Sequence, residues 1–390
     1  MVEGKNVHIY PSPIINESRI FKITKILTSN NVFPKIFIIG IWHPGLPEKE
    51  QLDNRRTIIR IKCWIPFLNS KRKSFLGKVF FFPIWYLQVL FLLHHEPVDC
   101  VNAHSVSVLP LCVIVKKCKK CFLVYDTHEL ETETTTAKGF RKPLVKFTEK
   151  SFIRYVDSII VVSESIKFWY SENYNFNKIW VVRNIPSRNY HNGSEESSHA
   201  LKKELSINKQ ELLFLYLGNL SPGRGIGQAL EVFSKSVNDK HLLFIGKGVL
   251  ENLIKSYESR FSNIHSLPAV PPDEVVYYAS GADVGLCLIE NTCLSYYLSL
   301  PNKLFEYLVA GLPVLVNNFP DQRELVEFYV CGWILNDSIE DSVFFVNNLT
   351  SNMISEKKIG VESAQKSLSW ENEAKEYLRA IESMLSGTAV

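Results

Sequence analysis

Ser299-Leu300-Pro301-Asn302-Lys303-Leu304-Phe305-Glu306-Tyr307-Leu308-Val309-Ala310-Gly311-Leu312-Pro313-Val314-Leu315-Val316 decides how this chain is read. It predicts a loop, a helix opened by proline, a tight Gly-Leu-Pro turn and a buried strand. Proline suits a first helical turn because its missing N–H would be unpaired there. The free N–H groups of that turn, helped by the helix dipole, can hold an anion. Lys303 adds a full positive charge at the same place. Glu306 follows one turn later and can face the same crevice. Cations for a diphosphate and an acceptor for ribose hydroxyls together suit a nucleotide.

Outward from this segment, strands and helices alternate. In the first half, strands are expected at 7–10, 35–40, 57–62, 98–103, 121–125, 158–162 and 179–182. Helices are expected at 18–29, 75–93, 109–116, 142–155 and 163–172. Residues 183–200 are polar and turn-rich and read as a linker. The pattern then restarts, with strands at 212–217, 242–245, 264–267, 284–288 and 314–316. Helices at 225–234, 250–259 and 273–279 separate them. Such alternation predicts parallel sheets covered on both faces. The expected fold class is α/β, with two Rossmann-like domains facing a central cleft. Their boundaries are 1–188 and 189–369. The tail from Trp370 is an amphipathic helix with apolar residues at 370, 374, 377, 378, 381, 384 and 385.

Several strand ends carry residues fit for a ligand. Leu215-Tyr216-Leu217-Gly218-Asn219-Leu220-Ser221-Pro222-Gly223-Arg224-Gly225-Ile226-Gly227 follows the first strand of the second half and opens a helix. Gly223, Gly225 and Gly227 allow close backbone approach, and Arg224 can grip phosphate in a fork. An ordinary glycine-rich turn is the plainer alternative. With Lys303 and Glu306 it forms a two-sided diphosphate clamp. Gly246, in Ile245-Gly246-Lys247-Gly248, ends the next strand. Leu267 and Ala269 lie in the loop after the following one, where backbone groups could hold a base. In the first half, Tyr125-Asp126-Thr127-His128-Glu129 ends a strand, and His128 and Glu129 are candidate site residues. His104 and the loop Tyr10-Pro11-Ser12-Pro13 are weaker candidates, and Ser12, Pro13, His104 and Glu129 are the expected acceptor contacts. A structural histidine is the competing reading for both His104 and His128.

Composition bounds the function. A 390-residue chain with 46% hydrophobic and 22% charged residues is globular and suits two domains. Residues 1–190 hold 28 basic and 15 acidic residues, and 191–390 hold 16 and 25. The basic half is suited to a polyanion. No nucleic-acid reader motif interleaves aromatics with its charges, so nucleic acid is not expected. Cys118 and Cys121 form a C-x-x-C pair with no second pair to complete a zinc site. No Asp-x-Asp occurs for a divalent ion bridging a diphosphate, and no metal is expected. Residues 79–93 are apolar but fall short of the ~20 needed to span a bilayer. Lys71, Arg72, Lys73 and Lys78 precede them. A buried core helix, an interfacial membrane helix and a true span all stay open on these residues.

Gly218–Gly225, Pro301–Val316, Tyr125–Glu129 and Arg183-Asn184-Ile185-Pro186 together resemble glycosyltransferase family 4. These are retaining, nucleotide-sugar-dependent transferases of the GT-B fold. The resemblance implies a donor held by the C-terminal domain and an acceptor held by the N-terminal one. It also implies that the helix at 370–390 crosses back onto the N-terminal domain. Arg224 matches the residue contacting the donor diphosphate, Glu306 the second glutamate of the E-x7-E motif, and His128 the histidine near the transferred sugar. Two positions depart from the pattern. Leu298 stands where the first glutamate belongs, so Glu290 or Ser295 is expected to substitute. Asn219 stands where many members carry a second cation. Gly218, Asn219, Gly223, Gly225, Gly246, Leu267, Ala269, Glu290, Ser295, Pro301 and Asn302 are the expected donor contacts. The expected activity is metal-independent transfer from a UDP- or GDP-sugar to a lipid-linked glycan, in surface-polysaccharide assembly at the cytoplasmic membrane face. Residues 71–93 would make the membrane contact. A sugar-nucleotide epimerase, a phosphorylase and a catalytically degenerate nucleotide-sugar-binding partner are the alternatives.

Overall fold

The computed structural model describes residues 4–65, 75–137, 139, 141–187, 195–272, 274–336 and 338–387. The chain divides into two compact units, one of Met1–Val182 with Ala374–Val390 and one of Arg183–Glu373.

The first unit is built on strands β1 (Lys5–Ile9), β2 (Ile36–Ile41), β3 (Lys49–Gln51), β4 (Arg56–Ile61), β5 (Val98–Ala103), β6 (Phe122–Asp126), β7 (Ser158–Val161) and β8 (Ile179–Val181). They form one sheet in the order β3-β4-β2-β1-β5-β6-β7-β8. Every pairing is parallel except β3 with β4. The central strands read as near-continuous apolar runs because helices cover both faces. The antiparallel β3, Lys-Glu-Gln, carries no hydrophobic signal and was not expected. Its charged side chains blunt the sheet edge. The turn into β4 is set by Asp53, whose Oδ1 accepts from the N–H groups of Arg55 and Arg56 at 2.9 and 2.8 Å.

Helices α1 (Ser18–Ser29) and α2 (Phe75–Leu93) are found over the expected residues. The α2 helix buries Phe81, Trp85, Val89 and Leu93. No described helix is long and apolar enough to cross a membrane, which removes the spanning reading of 79–93. Lys71, Arg72 and Lys73 lie outside the described residues.

The second unit holds β9 (Leu212–Asn219), β10 (Lys240–Lys247), β11 (Ile264–Leu267), β12 (Val284–Cys287), β13 (Val314–Asn317) and β14 (Gly332–Leu335). All are parallel, in the order β11-β10-β9-β12-β13-β14. Strand order therefore reverses between β9 and β12. These strands pair only at Phe214–Val284 and Leu215–Gly285. Beyond that point the Tyr307 hydroxyl fills the gap: it accepts from the Leu217 N–H at 2.8 Å and donates to the Leu286 carbonyl at 3.1 Å. Gly285 is required beneath it, since a Cβ there would lie 2.3 Å from the Tyr307 ring.

Residues 195–204 are helical, beginning inside the stretch read as linker and running past its end at 200, and 188–194 lie outside the described residues. The expected helix at 273–279 runs Val275–Ala279, with Asp273 not described. Pro301 sits at the N-cap rather than in the first turn, in extended conformation before a helix at Asn302–Val309. The closing helix, Trp370–Ser386, joins the first unit from Ala374 onward. Arg183 and Glu373, the residues flanking the two crossings, pair with each other: Glu373 Oε2 accepts from the Arg183 N–H at 2.6 Å.

Candidate functional site

In the second unit, the carboxyl ends of β9 and β12 splay apart at the reversal of strand order. Open α/β sheets bind ligands at such points. The loop after β9 is shaped by glycine. Gly218, Gly223 and Gly225 all have positive φ, at 114°, 83° and 73°. A Cβ on Gly225 would sit 2.6 Å from Leu288, so the loop can lie against the end of β12 only with glycine there. Gly246 pairs with Gly218, and its Cβ would fall 1.9 Å from the Gly218 carbonyl oxygen. Leu267 pairs with Ile245 at the end of β11, and Ala269 is exposed beyond it.

The cations meet this loop from two sides. Arg224 lies over the Tyr296 ring at 5.0 Å, and Tyr296 also packs on Gly223. The Arg224 Nε is buried with no hydrogen-bond partner among the described residues. Lys303 Nζ stands 3.7 Å from the centre of the Tyr216 ring and likewise has no hydrogen-bond partner among them. Burial pushes the Lys303 ammonium down to about 8; the Cys287 thiol and Glu306 act upward and Arg224 downward. The Asn302–Val309 helix has no side-chain cap, so its first N–H groups stay available to an anion. Asn302 is exposed at its start. Glu290 is exposed too, and its N–H is bonded to the Gly223 carbonyl at 3.1 Å. Ser295 lies in a short helix, Leu294–Tyr297, with its Oγ buried and unpartnered. The structure thus gathers Gly218, Gly223, Arg224, Gly225, Glu290, Ser295 and Lys303 around one crevice. Sequence reasoning missed the aromatic floor, Tyr216 and Tyr296, and the Tyr307 wedge. Apolar spacing marks these rings only as core.

In the first unit, β1, β5 and β6 end side by side. His8 on β1 and His104 after β5 stack at 5.1 Å, with His8 Nδ1 2.8 Å from His104 Nε2. His104 Nδ1 lies 3.2 Å from His128 Nε2 and 3.3 Å from Asp126 Oδ2. Tyr10 covers His128 at 5.5 Å. Arg19, from α1, reaches Asp126 Oδ1 at 2.7 Å and the Val182 carbonyl at 2.7 Å. Burial would raise the Asp126 carboxyl, but Arg19 and the histidines outweigh it and hold it well below the usual carboxylate range. Burial pushes the His128 imidazole down to about 3 despite Asp126.

His104, Asp126 and His128 lie close enough to share a cation. Arg19 already pairs with Asp126, however, and takes up its charge. His104 is 1% exposed, too enclosed to meet an acceptor directly. Ser12 and Pro13 are fixed rather than loose. Ser12 Oγ donates to Glu17 at 2.7 Å, and the Pro13 carbonyl accepts from Arg60 Nε at 2.7 Å. Glu129 is exposed beside His128. Asp126, Arg19 and His8 were not expected; Asp126 stood in the quoted strand end without a role.

Two parallel α/β units, the second with an anion-ready crevice at its strand reversal, define the GT-B class of glycosyltransferase fold. Residues 38–185 match Glycosyltransferase Family 4, and residues 197–366 match Glycosyl transferases group 1. The chain belongs to the family 4 type of glycosyltransferase and is an enzyme of that class. Its fold resembles sucrose-phosphate synthase (tll1590) from Thermosynechococcus elongatus, with TM-score 0.81, 13% identity, and coverage of 99% of this chain and 100% of the other. It also resembles Anabaena Alr3699/HepE in complex with UDP-glucose, with TM-score 0.73, 12% identity, and coverage of 98% and 100%. WaaG, a glycosyltransferase involved in lipopolysaccharide biosynthesis, aligns with TM-score 0.68, 13% identity, and coverage of 99% and 100%. No curated protein sequence matches the chain.

Proposed function

We propose that this glycosyltransferase takes its sugar from a nucleotide diphosphate donor, UDP- or GDP-linked, with retention of anomeric configuration and without a metal. The carrying observation is a pair of buried cationic nitrogens, Lys303 Nζ and Arg224 Nε, that have no hydrogen-bond partner among the described residues and lie beside an uncapped helix N-terminus. A buried charge without a partner is costly unless a counter-charge arrives. A diphosphate supplies that counter-charge, and the same groups stabilise it as a leaving group when the glycosidic bond breaks. Glu306, one turn further along, is assigned to the ribose. UDP-glucose and UDP bound to HepE support a uridine donor. Ser295 and Glu290, around the position of Leu298, are assigned to the sugar.

For the acceptor we propose a lipid-linked glycan of surface-polysaccharide assembly, met at the cytoplasmic membrane face. The net positive first half and the apolar face of α2 support this reading. The involvement of WaaG in lipopolysaccharide biosynthesis is in keeping with it.

A thermal-shift panel of UDP-, GDP-, ADP- and TDP-sugars tests the donor. One nucleotide series should stabilise the native protein. Arg224→Ala and Lys303→Ala should each weaken binding and cut transfer by on the order of 10²-fold. Full activity in both variants would overturn the assignment.

A further inference from the structure

In the first unit, three imidazoles run in file from the buried interior to His128. The order of their nitrogens admits one consistent set of protons. Asp126 is ionised and bound by Arg19, so it can only accept. His104 Nδ1, 3.3 Å away, is therefore the protonated nitrogen of that ring. With the ring's one proton on Nδ1, His104 Nε2 is bare and accepts from His8 Nδ1–H at 2.8 Å. His8 is left with a bare Nε2, the one buried nitrogen of the file without a partner among the described residues. That is the cheaper arrangement, because the reverse order would bury an N–H donor with nothing to receive it. At the other end, His104 Nδ1–H also points at His128 Nε2, 3.2 Å away.

We infer that His8 and His104 are positioning residues that fix His128 in the neutral Nδ1–H tautomer, so that it meets the substrate as a hydrogen-bond donor and not as a proton-accepting base. The groups around it agree. Tyr10 stacks against its ring from the end of β1. Asp126 Oδ2, 4.0 Å from His128 Nε2, already has Arg19 and His104 as donors. Glu129 follows it on the same loop, and Glu131, two residues further on, accepts from Ser105 Oγ and the Val106 N–H. Buried Tyr377, from the closing helix, sits in the field of Asp126 and Arg19. None of these supplies His128 Nε2 with a proton of its own. A donor aimed at a sugar hydroxyl or ring oxygen would orient that sugar without taking part in proton transfer. That last step rests on the transferase reading; the tautomer does not.

Long-range ¹H–¹⁵N correlation on the full chain, with histidine ¹⁵N-labelled, reads the tautomer directly. The expected spectrum assigns His128 as Nδ1–H, unchanged between pH 8 and 5. An Nε2–H pattern, or protonation of His128 above pH 5, overturns the inference whatever the activity. His104→Phe removes the Nδ1 donor and should raise the apparent pKa of His128 by at least one unit, bringing an acid limb into the pH–rate profile. His104→Asn places an amide near the Nδ1 position and should restore the wild-type spectrum and profile. Equal behaviour of the two variants would reduce His104 to a packing role. Nucleotide binding to the second unit, measured on each variant, separates this outcome from misfolding and from failure of the donor reading.

Discussion

Lys303 holds its charge where burial outweighs the favourable fields of Cys287 and Glu306. Its ammonium rests on the Tyr216 ring with no hydrogen-bond partner among the described residues. A cation over an aromatic face is attracted by ~0.5–2 kcal/mol, which does not replace full hydration. The depressed pKa states the same cost. A lysine whose folded pKa falls to about 8 from 10.5 binds fewer protons than its unfolded form between those values. Stability therefore rises as pH climbs through that window, and at neutral pH the charge opposes folding. Lys303→Met keeps the aliphatic stem and removes the charge. It should raise the melting temperature of the ligand-free protein while weakening nucleotide binding on the order of 10²-fold. A lower melting temperature would show that the ammonium has a stabilising partner. Such opposition between stability and function is expected where a group is held for a ligand. The motif around Lys303 was legible in sequence because helix starts, charges and glycine turns act locally. The His8–His104–Asp126 file was not, since its members come from three strands and only parallel pairing aligns their ends.

At the scale of elements, α2 has two faces of similar polarity and different fates. Phe81, Trp85, Val89 and Leu93 are buried, whereas Val79, Phe80, Leu87 and Phe91 remain 50–75% exposed. Trp64, 63% exposed, meets Phe91 edge-on at 6.4 Å. Aromatic side chains at this exposure suit the boundary between headgroups and acyl chains. Phe80→Ser with Phe91→Ser should lower the fraction of protein sedimenting with anionic vesicles at low salt, with little change in melting temperature. Unchanged sedimentation would remove α2 from the membrane contact. Periodicity located this helix but could not tell its buried stripe from its exposed one, because both are apolar. The sequence reading also stopped short of 320–369, which holds three helices and β14. Local signals were present there: Ser338 and Thr350 each cap a helix, accepting from Asp341 N–H at 3.2 Å and Met353 N–H at 3.4 Å. The short edge strand β14, Gly-Trp-Ile-Leu, carries too little alternation to register.

At the scale of the whole molecule, burial disfavours the charged form of four histidines. His8, His128, His241 and His265 all have imidazoles pushed downward, desolvation being the leading cause in each. Folded pKa values below the unfolded value of about 6.5 mean that the unfolded chain binds more protons as pH falls. The stability these groups contribute is present above pH ~6.5 and is lost as pH drops toward their folded values. Each histidine that stays neutral steepens the loss by up to about 1.4 kcal/mol per pH unit. Melting temperature should therefore decline steadily from pH 7 to pH 5; a flat profile over that range would contradict this burial.

The closing helix places its residues from Ala374 onward in the first unit, burying Tyr377, Ala380, Ile381 and Met384 there. During synthesis the first unit therefore leaves the ribosome without the last piece of its core. All of Arg183–Glu373 is made in the interval. The later-coded unit can finish folding before the earlier one, reversing the usual N-to-C order. A released chain truncated after Glu373 would hold a complete Arg183–Glu373 unit and an open first one.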